Sequence, residues 1–140
     1  MADSTYGFHF RYRMSGGAPT IVDLLAADTA TYYKGDFVTL DSGEVDPAAT
    51  DDTTLLGAVM ETKSCTASTT RVRVCIDRDA VYGVYDANAR AFGAPLDISG
   101  TAGTYTLTSN TNSDFIVVAT STAAEETLVM VASGEHAFDA

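Results

Sequence analysis

The chain has 140 residues, of which 46% are hydrophobic and 19% charged, and this balance favours a single folded domain with its own core. Its net charge is −11, and because an acidic surface repels phosphate backbones, we expect no nucleic-acid partner for the body of the protein. No apolar run approaches the length of a membrane span and the N-terminus is polar, so we also expect neither a membrane segment nor a secretory signal.

Residues 1–19 are predicted to form an extended N-terminal arm that ends at the turn-forming stretch "SGGAP" (15–19). Within it, the ribbon "YGFHFRYR" (6–13) has an aromatic residue at every second position. Side chains alternate between the two faces of a strand, so an extended ribbon has one aromatic edge and one edge that carries arginines. Its candidate capsid or subunit interface residues are Tyr6, Phe8, Phe10, Arg11, Tyr12 and Arg13.

The charge of this segment differs from that of the remainder. Residues 1–22 carry two arginines and one aspartate, a net charge of +1, whereas residues 23–140 carry six basic and eighteen acidic side chains, a net charge of −12. Burying four aromatic side chains contributes roughly 6–12 kcal/mol, and ordering eight backbone residues costs roughly 8–16 kcal/mol. The ribbon therefore needs a sheet or a partner surface. It is interpreted as a docking arm that pairs with another chain, with the protein's own edge strand and a base-stacking surface as alternatives.

The rest of the chain reads as a series of short strands. Residues 20–33 are compatible with a short helix, but their β-branched and aromatic residues favour a strand. Turn-forming residues separate the further predicted strands, which lie at 37–40, 55–61, 71–77, 80–86, 104–108, 114–120 and 126–132. This pattern predicts an all-β fold: residues 20–140 form one small β-barrel or β-sandwich-like domain.

No motif for catalysis or for cofactor binding is apparent. His9 and His136 lie near opposite ends of the chain, and neither belongs to a local nucleophile–base motif. The acidic stretches lack calcium-loop spacing, and no histidine or cysteine pair has zinc-ligand spacing. Cys65 and Cys75 are interpreted as two reduced, half-buried thiols. We therefore predict no enzymatic activity, no cofactor and no metal.

The stretch "TIVDLLAA", followed by "YYKGDFVTLDSGEVDPAATDDTTLLGAVMET" and "TTRVRVCIDRDAVYGV", resembles the capsid decoration, or cement, proteins of tailed bacteriophages. The resemblance covers residues 20–85 well and the rest loosely. It implies a small β-rich domain on the outer capsid surface, often trimeric, which reinforces the shell and has no catalytic residues.

Together these observations predict a structural virion protein that is made in the host cytoplasm and attached to the outer capsid surface. Its expected partners are the major capsid protein and neighbouring copies of itself. The alternative is a virion-surface module that recognises a host-surface ligand such as a glycan. Loops 87–103 and 109–113 are the candidate sites for that function, although Phe92 is the only aromatic residue in either loop.

Overall fold

The computed structural model describes residues 6–48, 54–86, 90–101, 103–109, 113–119, 126–132 and 134–139. These ranges contain thirteen β-strands, a short 3-10 turn at Ala137–Asp139 and no α-helix, so the predicted all-β class is confirmed. In chain order the strands are β1 (His9–Arg13), β2 (Ile21–Leu25), β3 (Ala30–Tyr32), β4 (Phe37–Asp41), β5 (Glu44–Pro47), β6 (Leu55–Ala58), β7 (Lys63–Cys65), β8 (Arg71–Cys75), β9 (Ala80–Tyr85), β10 (Pro95–Ser99), β11 (Thr106–Ser109), β12 (Phe115–Ala119) and β13 (Glu126–Val131).

The ambiguous segment 20–33 forms two strands, β2 and β3, in agreement with its β-branched and aromatic content. The predicted turn at "DSG" is also present. Ser42 and Gly43 both have positive φ, 52° and 83°, and they join β4 to β5 as a two-residue hairpin of the kind that matches the twist of its strands. Three short strands were not predicted, namely β5, β7 and β10. Their sequences contain proline, lysine or aspartate, which local propensity assigns to loops.

Five strands form a small closed ring. β2 pairs with β8, and β6, β4 and β5 form a three-stranded sheet. A bridge between Val59 and Val74 joins β6 to β8, and a bridge between Ala26 and Val45 joins β2 to β5. Within the described part of the chain, these two bridges close the five strands into a ring. Its interior is a compact cluster of mainly aliphatic side chains, among them Ala26, Val38, Val45, Leu56, Val59, Val72 and Val74.

The second layer is a six-stranded antiparallel sheet in the order β1-β9-β13-β12-β10-β11. A second core unites this sheet with the outer side of the ring. Strand β4 contributes side chains to both cores. Phe37 belongs to the core under the six-stranded sheet, whereas the next residue, Val38, belongs to the interior of the ring. Leu55 and Leu56 divide between the two cores in the same way, so these central strands are apolar on both faces.

Strands β6 and β8 approach closely at Gly57 of β6. A Cβ atom at this position would overlap the backbone carbonyl oxygen of Cys75, so only glycine fits there. Strand β8 was expected to place Cys75 on the same side as Arg71 and Arg73, which are exposed. Cys75 is instead fully buried, because the end of β8 lies in the second core.

The two cysteines are free and buried, and they belong to different cores. Burial raises the pKa of both thiols, because the charged thiolate is poorly solvated there. The interpretation of Cys65 and Cys75 as reduced thiols is confirmed, although they are more deeply buried than expected.

Candidate functional site

The ribbon 6–13 lies at the edge of the six-stranded sheet. Its residues 9–13 are β1, which pairs antiparallel with β9. Just before the strand, Gly7 has a φ of +99°, which glycine adopts readily, and its Cα packs directly against Gly35. The amide of Gly7 donates to the carbonyl of Tyr105 over 2.8 Å, and the amide of Phe8 donates to the carbonyl of Gly35 over 2.7 Å. These hydrogen bonds attach the start of the ribbon to the backbone of the protein's own fold.

The aromatic residues of the ribbon do not share one environment. Phe8 is 1% exposed and its ring centroid lies 4.9 Å from that of Phe115 and 5.0 Å from that of Phe37. Phe10 is partly buried against the same core. Tyr12, in contrast, is 42% exposed. The expected strict alternation fails because the register of β1 against β9 shifts between Phe10 and Tyr12, as at a β-bulge.

The arginines of the ribbon have carboxylate partners within the chain. Arg11 forms an ion pair with Glu126 of β13 across the surface of the sheet. The Nε of Arg13 donates to Asp79 over 3.0 Å, and its guanidinium lies 3.6 Å from Asp77. The hydrogen bond to Asp79 and the nearby negative charges raise the pKa of Arg13. The positive charge of the N-terminal segment therefore compensates acidic groups of its own fold. A role of Arg11 and Arg13 at a capsid or subunit interface stays a prediction.

Asp79 is the acidic centre of this contact. It accepts hydrogen bonds from the hydroxyl and the amide of Ser15 as well as from Arg13. Partial burial alone would raise the pKa of this carboxyl group, but the hydrogen bonds from Ser15 and Arg13 outweigh it and lower the pKa to about 2. The residues that follow β1 are therefore anchored too.

These contacts match the edge-strand alternative for the described part of the arm. All six predicted interface residues fall within 6–13, and the structure places Phe8 in the core, Phe10 against it, and Tyr6 and Tyr12 at the surface. Residues 1–5 lie outside the described ranges. Whether the free side of β1 binds a capsid protein or another copy stays a prediction.

A cleft of about 400 Å³ opens beside the start of the ribbon. Three segments that are distant in sequence meet there, and the lining residues are Tyr6, Gly7, Tyr33, Lys34, Asp36, Gly103 and Thr104. Tyr6 and Tyr33 are 47% and 43% exposed. Sequence reasoning assigned "YYKGD" to the predicted β-rich region and did not identify a site there. The available signal was a pair of tyrosines followed directly by lysine and a glycine turn.

The side chain of Asp36 links two loops that line this cleft. It is 4% exposed, and one carboxylate oxygen accepts the amide of Tyr33 over 3.0 Å while the other accepts the amide of Gly103 over 2.8 Å. Burial raises the pKa of Asp36, and the two amide hydrogen bonds partly offset that rise. One side chain therefore fixes the positions of two separate loops.

The loops proposed for glycan recognition are only partly described. Phe92 is 78% exposed on the loop before β10, and Gly103 and Thr104 contribute to the cleft. Residues 87–89, 102 and 110–112 lie outside the described ranges. Phe92 does not line the cleft. Recognition of a host-surface ligand by these loops stays a prediction.

Within the described ranges, no three His, Cys, Asp or Glu side chains form a group that could hold a metal ion. In the same part of the chain, no helix has the length and hydropathy of a membrane span. The expected absence of enzymatic activity is not tested by this geometry and stays a prediction. Comparison of the sequence with protein-family models gives no match, and comparison with curated proteins gives no match either.

Proposed function

We propose that this protein is a structural virion protein that binds the outer surface of a tailed-phage capsid and reinforces the shell. The resemblance of residues 20–85 to decoration proteins supports the proposal, together with the all-β fold. The observation that carries it is the position of β1, which is the terminal strand of the six-stranded sheet. An edge strand presents backbone amide and carbonyl groups that a strand of another chain can pair with.

The surface of this edge suits a protein partner. Tyr12 lies in β1 and is 42% exposed, and Met14 directly follows β1 and is 58% exposed. They supply apolar area, while the backbone of β1 supplies hydrogen bonds and register. The net charge of −11 favours solubility of the protein before attachment. Trimers, which the resemblance implies, would multiply a weak contact at each copy into high avidity.

The test uses capsids assembled from the major capsid protein of the phage that encodes this protein. Purified protein is added over a concentration series, and the number of copies bound per shell is counted. Deleting residues 1–14 is a poor variant because it also removes Phe8 from the core. Tyr12→Ser combined with Met14→Ser changes only exposed side chains, and we expect it to weaken capsid occupancy at least tenfold.

The matched control is Phe92→Ser, which changes an exposed aromatic residue far along the chain from β1. It should leave occupancy unchanged. Thermal unfolding should be similar for all three proteins, so that lost occupancy reports attachment and not folding. If the wild-type protein does not bind the capsid at any concentration, the decoration function is wrong. If it binds and the double variant binds equally well, attachment uses a different surface.

A further inference from the structure

We propose that the cleft lined by Tyr6, Tyr33 and Lys34 binds a saccharide that carries a carboxylate group. This is a ligand-binding function separate from attachment through β1. It combines three features of the cleft: a rigid backbone floor, two half-exposed aromatic side chains and a cation.

The floor of the cleft is rigid because separate chain segments are hydrogen-bonded to one another. The amides of Gly7 and Phe8 donate to Tyr105 and Gly35, and the amide of Gly35 donates to the carbonyl of Val59 over 2.9 Å. Asp36 then ties the loop at Tyr33 to the loop at Gly103, as described above. A site whose walls are held in place before binding loses little conformational entropy when a ligand enters.

Tyr33 is held as a platform. A Cβ atom on Gly103 would lie 3.3 Å from Cδ2 of the Tyr33 ring, so the backbone of Gly103 already packs against one part of that ring. Tyr33 nevertheless stays 43% exposed and Tyr6 47% exposed, and both line the cleft. A tyrosine presents an apolar ring face and a polar hydroxyl. The C–H face of a sugar ring stacks on such a ring while the sugar hydroxyls bond to neighbouring polar groups.

Polar groups for such a ligand surround the two rings. Lys34 contributes an ammonium group at the exposed rim. Thr104 also lines the cleft, and its hydroxyl already bonds to Thr101 within the same loop. Within the described part of the chain, Lys34 takes part in no ion pair, whereas Arg11, Arg13, Arg73 and Arg90 each have a carboxylate partner. Both oxygens of Asp36 already accept backbone amides. A ligand carboxylate at the rim therefore meets the exposed ammonium group of Lys34, whereas the carboxylate of Asp36 is buried and already bonded to two amides. This arrangement favours an acidic sugar over a neutral one.

The size of the cleft agrees with this ligand class. Its volume of about 400 Å³ lies at the lower end of the range of roughly 300–1,000 Å³ that is typical of small-molecule sites. We therefore expect it to hold a single terminal sugar, with further sugars of a glycan outside.

The experiment measures saturation transfer from the full-length protein to small saccharides by NMR, followed by titration. The probes are two matched pairs: 3′-sialyllactose with lactose, and glucuronic acid with glucose. We expect binding of at least one acidic sugar with a Kd in the millimolar range, and at least tenfold weaker binding of its neutral counterpart. Absence of transfer to every probe, or equal affinity within both pairs, would overturn the proposal.

Variants locate the site. Tyr33→Ala should abolish binding, Tyr33→Phe should retain it because the ring face remains, and Lys34→Gln should remove the preference for the acidic sugar. Phe92→Ala is the control and should bind like the wild type, since Phe92 does not line the cleft. Unchanged binding by both Tyr33→Ala and Lys34→Gln would show that the sugar binds elsewhere. Capsid occupancy of Tyr33→Ala should stay at the wild-type level, which separates this proposal from the decoration function.

Discussion

Replacing Phe8 by alanine should destabilise the whole fold. The side chain is 1% exposed, and three aromatic rings surround it at centroid distances of 4.9 Å (Phe115), 5.0 Å (Phe37) and 6.3 Å (Tyr82). Truncation of a buried phenylalanine to alanine costs about 3–5 kcal/mol, and aromatic pairs add to the loss. We expect a loss of about 4 kcal/mol for Phe8→Ala, a large part of the roughly 5–15 kcal/mol that keeps a domain folded.

The matched variant on the same ribbon is Tyr12→Ala. Tyr12 is 42% exposed and lies beyond the register shift, so its truncation should cost less than about 1 kcal/mol. Urea unfolding gives both free energies, and thermal unfolding gives an independent check. At roughly 3 °C per kcal/mol for a domain of this size, Phe8→Ala should lower Tm by about 12 °C and Tyr12→Ala by no more than about 3 °C.

The comparison decides between the two interpretations of the ribbon. A docking arm that is detached from the body would tolerate both substitutions, because neither side chain would contribute to folding. If the free energy of unfolding of Phe8→Ala lies within about 1 kcal/mol of the wild-type value, the packing of the ribbon in the protein's own core is refuted. The interpretation as a detached docking arm would then be favoured.

Two further predictions concern stability. Gly57→Ala should lower the free energy of unfolding by more than about 3 kcal/mol, because the new Cβ would overlap the carbonyl oxygen of Cys75. Gly43→Ala, which has open space around its Cα but a φ of +83°, should lower it by only about 1 kcal/mol in the same urea assay, and similar losses would contradict the close approach of β6 and β8. Asp79 has a folded-state pKa of about 2, below its ordinary value of 3.8, so its contribution to stability is complete above about pH 5 and is lost as the pH falls towards 2. Asp79→Asn should therefore lower the free energy of unfolding by about 1–2 kcal/mol at pH 7 and by much less at pH 2. The figure for pH 7 is reduced because a quarter of the side chain is exposed. An equal loss at both pH values would exclude the charge as the cause.

Local sequence was sufficient where the structure depends on neighbouring residues. The period-two stretch "RVRVC" forms β8, and "DSG" forms the hairpin turn between β4 and β5. Both follow from backbone geometry and from the residues that tolerate positive φ, so they need no knowledge of distant contacts. Strand β10 could not be found in the same way, because its proline and its buried Asp97 have no strand signal outside the folded protein.

What the sequence determined by itself is the all-β class, the order of most strands along the chain and the chemical character of the ribbon. Only the tertiary structure decided which surface the ribbon meets. Its pairing partner β9 lies about seventy residues away, Arg11 meets Glu126 at a separation of 115 residues, and the cleft unites Tyr6, Tyr33 and Gly103. Alternating aromatic residues favour a strand equally well against the protein's own core or against a partner, because burial in either place contributes the same free energy per unit area. The choice is made by the long-range hydrogen bonds and ion pairs that the fold brings within reach.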